Sequence, residues 1–465
     1  MNSNDEAEKP LNVLILAAGL GTRMKSDLAK VLHRLDGRPL IEHVFRTALS
    51  LNPKKVFIVV GHQADDVRAA LPGSTHDARI EFVVQKEQLG TGDAVNAARD
   101  RLADVDSNIL VLSGDVPLIK IETLRELIAV HLLENAACTV LTVKLSDPFG
   151  YGRVIRGDGG LDRIVEQKDA TDAERKVAEI NSGIYCFDSG KLFDALSNVK
   201  TNNAQGEYYL TDVPRLLLDN DETVALFLHD QTFEVEGVND RKQLASIEKM
   251  INEETIEKLM KESGVTFIDP RNAYISSTAA IGRDTVIYPN VTIEGNTVVG
   301  INCVIRSGTR LSNAMIGDGV EIRDNCLIID SDVGDRCSVG PMAHLRGHAV
   351  MVEGAKVGNF VEMKKTRLGK NSKAAHLTYL GDATVGEDAN IGAGVVTCNY
   401  DGKNKHETHI GDRVKIGSDT MLVAPVTVGD GATTGAGSVV TKDVEPGETV
   451  VGVPAKTLRA LAKKD

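Results

Sequence analysis

The spacing of apolar residues changes part-way along the chain, and the change separates two architectures. From about residue 13 to 227, short apolar runs rich in β-branched residues alternate with stretches of helical spacing. Residues 13–16, 56–60, 109–112, 139–143, 184–187 and 223–227 read as strands, and 40–51, 64–71, 92–102, 123–133 and 208–218 as helices. Such alternation predicts βαβ units and a mostly parallel sheet with helices on both faces. Ligands of such sheets lie beyond the carboxyl ends of the strands, so the residues just after each apolar run matter most. A further strand-like run is expected at 232–235.

Leu244, Ile247, Ile251, Ile256 and Leu259 approximate helical spacing in a stretch otherwise filled with Lys and Glu. Asn239 or Asp240 can cap its start and Gly264 its end. This predicts one long exposed helix, either connecting two domains or ending the first. From about residue 280 the period becomes six: Ile281, Ile287, Ile293, Val299, Ile305 and Leu311, and later Ile410, Ile416, Leu422 and Val428. A small residue often follows the aliphatic one, as in Val299-Gly300 and Ile391-Gly392. A sustained six-residue aliphatic repeat predicts a parallel β-helix, in which the repeated residues point inward and each coil buries its neighbour. The expected domains are therefore 1–241, a helical linker over 242–263, and a repeat domain over 264–465.

Candidate chemistry follows from what interrupts these patterns. The first apolar run ends in Leu16-Ala17-Ala18-Gly19, followed by Gly21-Thr22-Arg23 and Lys30. A Gly-rich turn after a buried strand lets backbone N–H groups approach a ligand, and phosphate suits such a turn best. It is neither a dinucleotide fingerprint, because Met24 stands where the third Gly belongs, nor a Walker A loop. Asp115, in Ser113-Gly114-Asp115-Val116-Pro117, can hold Mg2+ against triphosphate oxygens or can cap the turn before Pro117. Gln85 can pair with an amide-like nucleobase edge, and Gly90-Thr91 permits close backbone approach. In the repeat domain, departures from the six-residue period are expected at 360–366, 375–379 and 397–405, and such departures are candidate binding loops. His376 is the only residue in its stretch able to act as a base near neutral pH, although a lone His can also be structural.

Composition narrows the function classes. A chain of 465 residues is too long for one ordinary core, and its net charge of -13 argues against a nucleic-acid backbone as partner. Local Lys and Arg can still bind small phosphorylated ligands. Six cysteines without a C-x-x-C pair read as reduced thiols of a cytosolic protein. The N-terminal MNSNDEAEKP reads as a frayed tail without a targeting signal, and no apolar run approaches membrane-spanning length.

LAAGLGTRM followed by LAKVLH resembles the signature of the sugar-nucleotide pyrophosphorylases, a nucleotidyltransferase family with a Rossmann-like α/β domain. The resemblance implies that Arg23 and Lys30 hold triphosphate and that Leu16, Ala17, Ala18 and Gly19 lie along base and ribose. It implies that Asn239 joins Asp115 as a Mg2+ ligand and that Gln85, Gly90 and Thr91 select uracil. Gly152, Glu166 and Asn181 fall on N-acetylglucosamine-contacting positions. Ser113 stands where this family usually has Tyr, beside an unchanged Gly114.

NFVEMKK, HLTYLGDA, NIGAG and TCNYDG, behind such a domain, resemble the bacterial enzymes that join an N-acetylglucosamine-1-phosphate uridylyltransferase to a glucosamine-1-phosphate N-acetyltransferase. That resemblance spans about residues 11–454. It implies a left-handed β-helix, a homotrimer, and synthesis of UDP-N-acetylglucosamine from UTP, acetyl-CoA and glucosamine 1-phosphate, feeding peptidoglycan and lipopolysaccharide precursors. It makes His376 the general base of acetyl transfer. Arg346, Lys364, Tyr379 and Asn390 match sugar-phosphate positions, and Ala393, Asn399, Tyr400, Ser418 and Ala436 match acetyl-CoA positions. His344 and Gly452 each stand where an Arg is usual. The rival expectations are a monofunctional pyrophosphorylase whose β-helix only oligomerises, and a non-catalytic scaffold.

Overall fold

The computed structural model describes residues 9–458 apart from Leu20, Pro72, Ser74 and Thr75. Most of the acidic N-terminal tail thus lies outside the described residues. Contacts divide the chain into two compact units, Met1–Ile247 and Glu248–Asp465.

The first unit is built on a mixed sheet of nine strands: β1 (Leu11–Leu16), β2 (Lys55–Val60), β3 (Ile80–Val84), β4 (Asn108–Ser113), β5 (Cys138–Lys144), β6 (Gly152–Gly157), β7 (Gly160–Val165), β8 (Glu179–Asp188) and β9 (Val224–His229). Its main order is β9-β5-β8-β4-β1-β2-β3. The strands β1, β2, β3 and β4 pair in parallel, as do β5 and β9. Along β1, Val13 and Ile15 enter one apolar core and Leu14 the other, as the two-residue period of a strand requires. Helices α1 (Leu40–Ser50), α2 (Ala64–Ala69) and α5 (Ile121–Leu133) cover the first core. Helices α3 (Thr91–Asn96), α4 (Arg99–Leu102), α6 (Ser189–Leu196) and α7 (Val213–Leu218) cover the second. In α1, Ile41, Val44, Phe45 and Ala48 form the buried stripe.

Several expectations need correction. The sheet is less parallel than the alternation implied, because β8 runs antiparallel to both β4 and β5. A fully buried apolar run looks the same in either direction, so periodicity carries no orientation. The hairpin β6–β7, the strand β3 and the helix α6 were absent from the expected elements. The segment 92–102 is split into α3 and α4, and only the end of 208–218 is α-helical, after a 3-10 turn at Leu210–Asp212. The run Thr232–Val235 is a 3-10 helix, not a strand. It buries Glu234, whose carboxylate accepts from Thr123 Oγ1 at 2.6 Å.

Helix α8 spans Arg241–Glu262. Asp240 caps it by accepting from Gln243 N at 2.8 Å. At its end Gly264 takes the left-handed conformation and Val265 N returns to Leu259 O at 3.1 Å. Ile256 and Leu259 join the core of the second unit, and the boundary between units falls within the helix.

Among the described residues the second unit is a parallel β-helix with three faces of 12, 10 and 9 strands, of which only the last strand of the first face, Lys456–Thr457, pairs antiparallel. The first face starts at Thr266–Phe267, the second at Ala273–Ile275 and the third at Ala280–Ile281. Every aliphatic residue of the six-residue series is buried in one continuous core. Each fully buried Ile, Leu or Val supplies about 1.5–3 kcal/mol against chain entropy. Two of the three expected departures are not loops. Glu362–Lys364 pairs in register with Tyr379–Gly381, and Lys373–His376 with Lys356–Asn359. In the first, the chain turns a corner in five residues, from Met363 to Leu368, whereas in the second the six-residue step from Ala374 to Leu380 is kept and a small Ala stands at the core position. Only the third departure leaves the coil. Thr397 is in the core layer, the chain then swings out, and Thr408–Ile410 resumes the third face. A bridge between Tyr400 and Lys405 closes the excursion.

Candidate active sites

The chain runs from β1 outward to β2 and β3, then crosses back to place β4 on the other side of β1. The crevice beyond β1 and β4 is thus a topological switch point, where an open α/β sheet presents a ligand site. Leu16 and Ser113 end the two strands as register partners, and Gly114 N donates to Leu16 O at 2.9 Å. Ala17 and Ala18 are buried and Gly19 is exposed at the rim. Gly21 has φ +61°, and a Cβ there would stand 2.5 Å from Lys30 Cβ. Only glycine lets the loop press on the Lys30 stem. Gln63 holds the same loop by accepting from Ala29 N and donating to Asp27 O, both at 2.7 Å.

Four polar side chains converge there. Lys30 Nζ forms an ion pair with Asp115 and donates to Asn239 Oδ1 at 3.2 Å. Arg23 donates to the same Asn239 Oδ1 at 2.8 Å. Asn239 is delivered by the segment before α8, which docks where Val238 N donates to Asp115 O at 2.9 Å. Gln243 Oε1 accepts from Asn239 N at 2.7 Å and fixes its backbone. Asp115 and Asn239 thus point two hard oxygen donors at one cationic centre, the Lys30 ammonium. That donor set fits Mg2+, which takes few protein oxygens and fills its shell with water and phosphate. Among the described residues no cluster of three or more His, Cys, Asp or Glu side chains offers a closed metal cage.

Around this centre lie two further groups. Gln85 is buried after β3, where its Nε2 donates to Asp93 Oδ2 at 2.7 Å and to Gly90 O at 3.3 Å. Gly92 N and Tyr208 N tie the Gly90-Thr91 turn to the chain ahead of α7, and Thr91 Oγ1 accepts from Leu210 N at 3.1 Å. Gly152 sits beside Glu166 and Asn181. Burial pushes the Glu166 carboxyl above its ordinary range, although it accepts from Thr211 Oγ1 at 3.1 Å. Asn181 Nδ2 donates to Tyr185 Oη at 2.6 Å. Ser113 Oγ faces Gly183, the residue after the Asn181-Ser182 pair.

The second site lies on the β-helix around the corner between its first and second faces. His376 ends a first-face strand and Tyr379 opens the next second-face strand. His376 Nδ1 lies 2.7 Å from Asn359 Oδ1, its register partner one coil earlier. Ala393, Ser418 and Ala436 follow His376 along the same edge, each carried by the hydrogen-bond ladder between coils. Ala393 O accepts from Asp419 N at 2.7 Å, whereas Ala393 N–H donates to no group among the described residues. Asn390 is exposed on the neighbouring strand of the first face, between Lys373 and Lys415.

On the second face, Arg346, Lys364 and Gly381 occupy one register position in three successive coils. Arg346 makes a forked bond to Glu362 Oε1, at 2.8 and 2.6 Å. Lys364 lies against Lys405 of the excursion loop, and this contact lowers the Lys364 pKa below the usual lysine value, with Arg346 adding to the effect. Tyr379 Oη folds over Gly381, next to Asn399. Asn399 Nδ2 donates to Asp382 Oδ2 at 2.5 Å, and Tyr400 Oη donates to Gly402 O at 2.7 Å. Arg346, Lys364 and Lys405 are faced here by the carboxylates of Glu362 and Asp382, which leaves a local excess of one positive charge.

Family models agree with this division. A MobA-like NTP transferase domain matches residues 13–177, a GMPPB C-terminal domain matches 266–373, and the bacterial transferase hexapeptide (six repeats) matches 407–442. Whole-length relatives decide the family. The Bifunctional protein GlmU of Syntrophomonas wolfei is 47% identical over 437 residues, covering 94% of this chain and 96% of the relative. The Bifunctional protein GlmU of Shouchella clausii is 49% identical over 432 residues, covering 93% and 94%. That of Koribacter versatilis is 48% identical over 445 residues, covering 95% and 94%. This chain belongs to the GlmU family. As in that family, its fold is a nucleotidyltransferase α/β domain followed by a left-handed hexapeptide β-helix.

For this GlmU-family chain, the residues singled out by sequence fall into two clusters, each confined to one unit. Three neighbours escaped the sequence reading as site residues. Asn359 lay inside a quoted motif but only the coil register places it on His376. Lys405 is brought to Lys364 by the closure of its loop. Gln63 reaches the Lys30 loop from the start of α2. No local pattern gives any of them its partner. His344 Nε2 is buried without a hydrogen-bond partner, and desolvation lowers its pKa. Gly452 is exposed. All six thiols are free, and no helix among the described residues is long and apolar enough to cross a membrane.

Proposed function

We propose that this chain makes UDP-N-acetylglucosamine by two transfers at two separate sites. In the β-helix, an acetyl group passes from acetyl-CoA to the amine of glucosamine 1-phosphate. His376 Nε2 takes a proton from the amine as its nitrogen attacks the thioester carbonyl. The free Ala393 N–H is placed to receive the developing oxyanion. The tetrahedral intermediate collapses and the coenzyme A sulfur leaves. Arg346, Lys364 and Lys405 hold the sugar phosphate, with Tyr379 and Asn390 at its rim. The edge of Ala393, Ser418 and Ala436, together with Asn399 and Tyr400, takes the coenzyme.

In the first unit, the phosphate of N-acetylglucosamine 1-phosphate attacks the α-phosphorus of UTP in line, and pyrophosphate leaves. Leu16 to Gly19 line base and ribose, Gln85 and Gly90-Thr91 read the uracil edge, and Gly152, Glu166 and Asn181 face the sugar, with Ser113 and Gly114 at the turn between them. Arg23 and Lys30 bind the triphosphate and offset the charge that spreads over the reacting phosphate. Asp115 and Asn239 are the residues that would hold Mg2+, which when bound supplies further charge neutralisation to the triphosphate. No covalent enzyme intermediate is required.

The observation that carries this reading is the convergence of Arg23 and Lys30 on Asn239 across sequence separations of 216 and 209 residues. A homotrimer through the β-helix and a cytoplasmic location, where UTP and acetyl-CoA are made, complete the reading. The test uses the full-length protein. Thiol release from acetyl-CoA should depend on glucosamine 1-phosphate, and pyrophosphate release from UTP should depend on N-acetylglucosamine 1-phosphate. Pyrophosphate release alone would leave a monofunctional pyrophosphorylase.

A further inference from the structure

One residue per coil closes each strand of the first face before the corner to the second. The register makes this row Pro341, Asn359, His376, Ala393, Ser418 and Ala436. His376 therefore has two row neighbours. Ala393 offers only a methyl group, and Asn359 offers an amide whose oxygen stands 2.7 Å from His376 Nδ1. The neighbour of Asn359 on the far side is Pro341, whose side chain has neither donor nor acceptor. Among the described residues, the imidazole of His376 makes no other hydrogen bond. Phe360 and Leu377, the next residues after Asn359 and His376, have φ of +58° and +51°, a region bulky side chains rarely adopt. The preceding coil has Met342 at this corner, with φ +54°, and other coils have Asn325, Gly394, Asp419 or Gly437.

We propose that Asn359 is a positioning residue for acetyl transfer, holding His376 in the tautomer whose Nε2 lone pair faces the amine. This rests on the reading of His376 as the base. Nδ1–H donates to the Asn359 amide oxygen, so the single proton of the neutral ring is fixed on Nδ1. With the ring proton on Nε2 instead, the imidazole would present N–H to the amine and could not accept its proton. When Nε2 gains that proton, the ring becomes imidazolium and keeps its bond to the amide dipole. A neutral amide does this without the cost of a carboxylate, which would raise the His376 pKa and protonate the base before substrate arrives.

Three variants of the full-length protein test the assignment. Acetyl transfer is followed from about pH 5.5 to 9, the range over which imidazole titrates. Asn359→Ala should lower kcat by about tenfold or more, but by less than the 10²–10⁴-fold that a positioned general base supplies in full. KM for acetyl-CoA and for glucosamine 1-phosphate should stay within about twofold, because binding contacts are untouched. Asn359→Asp keeps the acceptor and adds charge, so it should retain more activity while moving the acid limb of kcat/KM to higher pH. Asn359→Asp also carries the test alone if the alanine variant fails to fold. Unchanged kcat and pH profile in both variants, with His376→Ala inactive, would overturn the role of Asn359 and leave His376 as base. A loss confined to KM, or an unshifted acid limb in Asn359→Asp, would overturn it equally. Full turnover by His376→Ala would remove the base and its positioner together.

Discussion

Lys30 and Asp115, 85 residues apart in sequence, form an ion pair at the carboxyl end of the sheet, with side chains only 18% and 16% exposed. The ammonium bridges the two oxygen donors proposed for Mg2+. Binding of nucleotide with its metal must exchange this pair for contacts to phosphate. Asp115→Asn is therefore expected to lower uridylyl transfer by about 10²-fold or more, the effect of removing a group that stabilises developing charge. Acetyl transfer in the same protein should be unaffected, and chelation of divalent metal should reproduce the split. Separate assays of pyrophosphate and thiol release check this, and an equal loss in both would contradict independent sites.

The contact of Lys364 with Lys405 gives a second prediction. Two ammonium groups repel until an anion lies between them. Lys405→Ala should raise KM for glucosamine 1-phosphate about tenfold, the effect of one charge-assisted hydrogen bond, with a smaller change in kcat. It should also let the Lys364 pKa rise toward its ordinary value, since Lys405 is the first cause of the depression. Titration of Lys364 by isotope-edited NMR in wild type and variant checks the second part.

Gly381 tests the packing of Tyr379. A Cβ at this position would overlap Tyr379 Oη and stand 2.7 Å from Asn399 Nδ2. Gly381→Ala should therefore displace the phenol from the sugar-phosphate site and raise KM for glucosamine 1-phosphate. Uridylyl transfer should be unchanged, and thermal unfolding should move little because the backbone at Gly381 does not need a left-handed angle. A wild-type KM would place the tyrosine outside the site.

His131 is expected to contribute to the acid sensitivity of the first unit. Burial on the inner face of α5 pushes its pKa down to about 4, while its Nδ1 stands 3.0 Å from Thr139 Oγ1. The folded unit keeps the ring neutral, whereas the unfolded chain protonates it near pH 6.5. Between those values the unfolded state holds the extra proton, so stability falls as pH drops through the window and is complete above it. The span corresponds to on the order of 3 kcal/mol. Denaturant titrations at several pH values should show a shallower slope in His131→Gln, and an identical slope would assign the acid sensitivity to other groups.

The sequence by itself determined the class of each half. The six-residue aliphatic series requires an inward stripe on each coil, and every one of those residues is in the core. The alternating runs require strands with helices between them, and most of the expected strands are present. Lys30 was legible as a cation after a Gly-rich turn and Asp115 as a carboxylate at a strand end, whereas Asn239 came only through the family resemblance. The tertiary structure decided what spacing does not encode. The reversed direction of β8 depends on which neighbours offer free ladder groups, not on its composition. The apparent departures at 360–366 and 375–379 are coils in register: a corner can be turned in five residues as well as six, and a small Ala374 can stand at a core position. Asn359 meets His376, and Lys405 meets Lys364, only because stacked coils and a closed loop bring distant positions side by side. Local pattern reports which face of an element a residue occupies; the partner across the gap is set by register and closure, which belong to the folded chain alone.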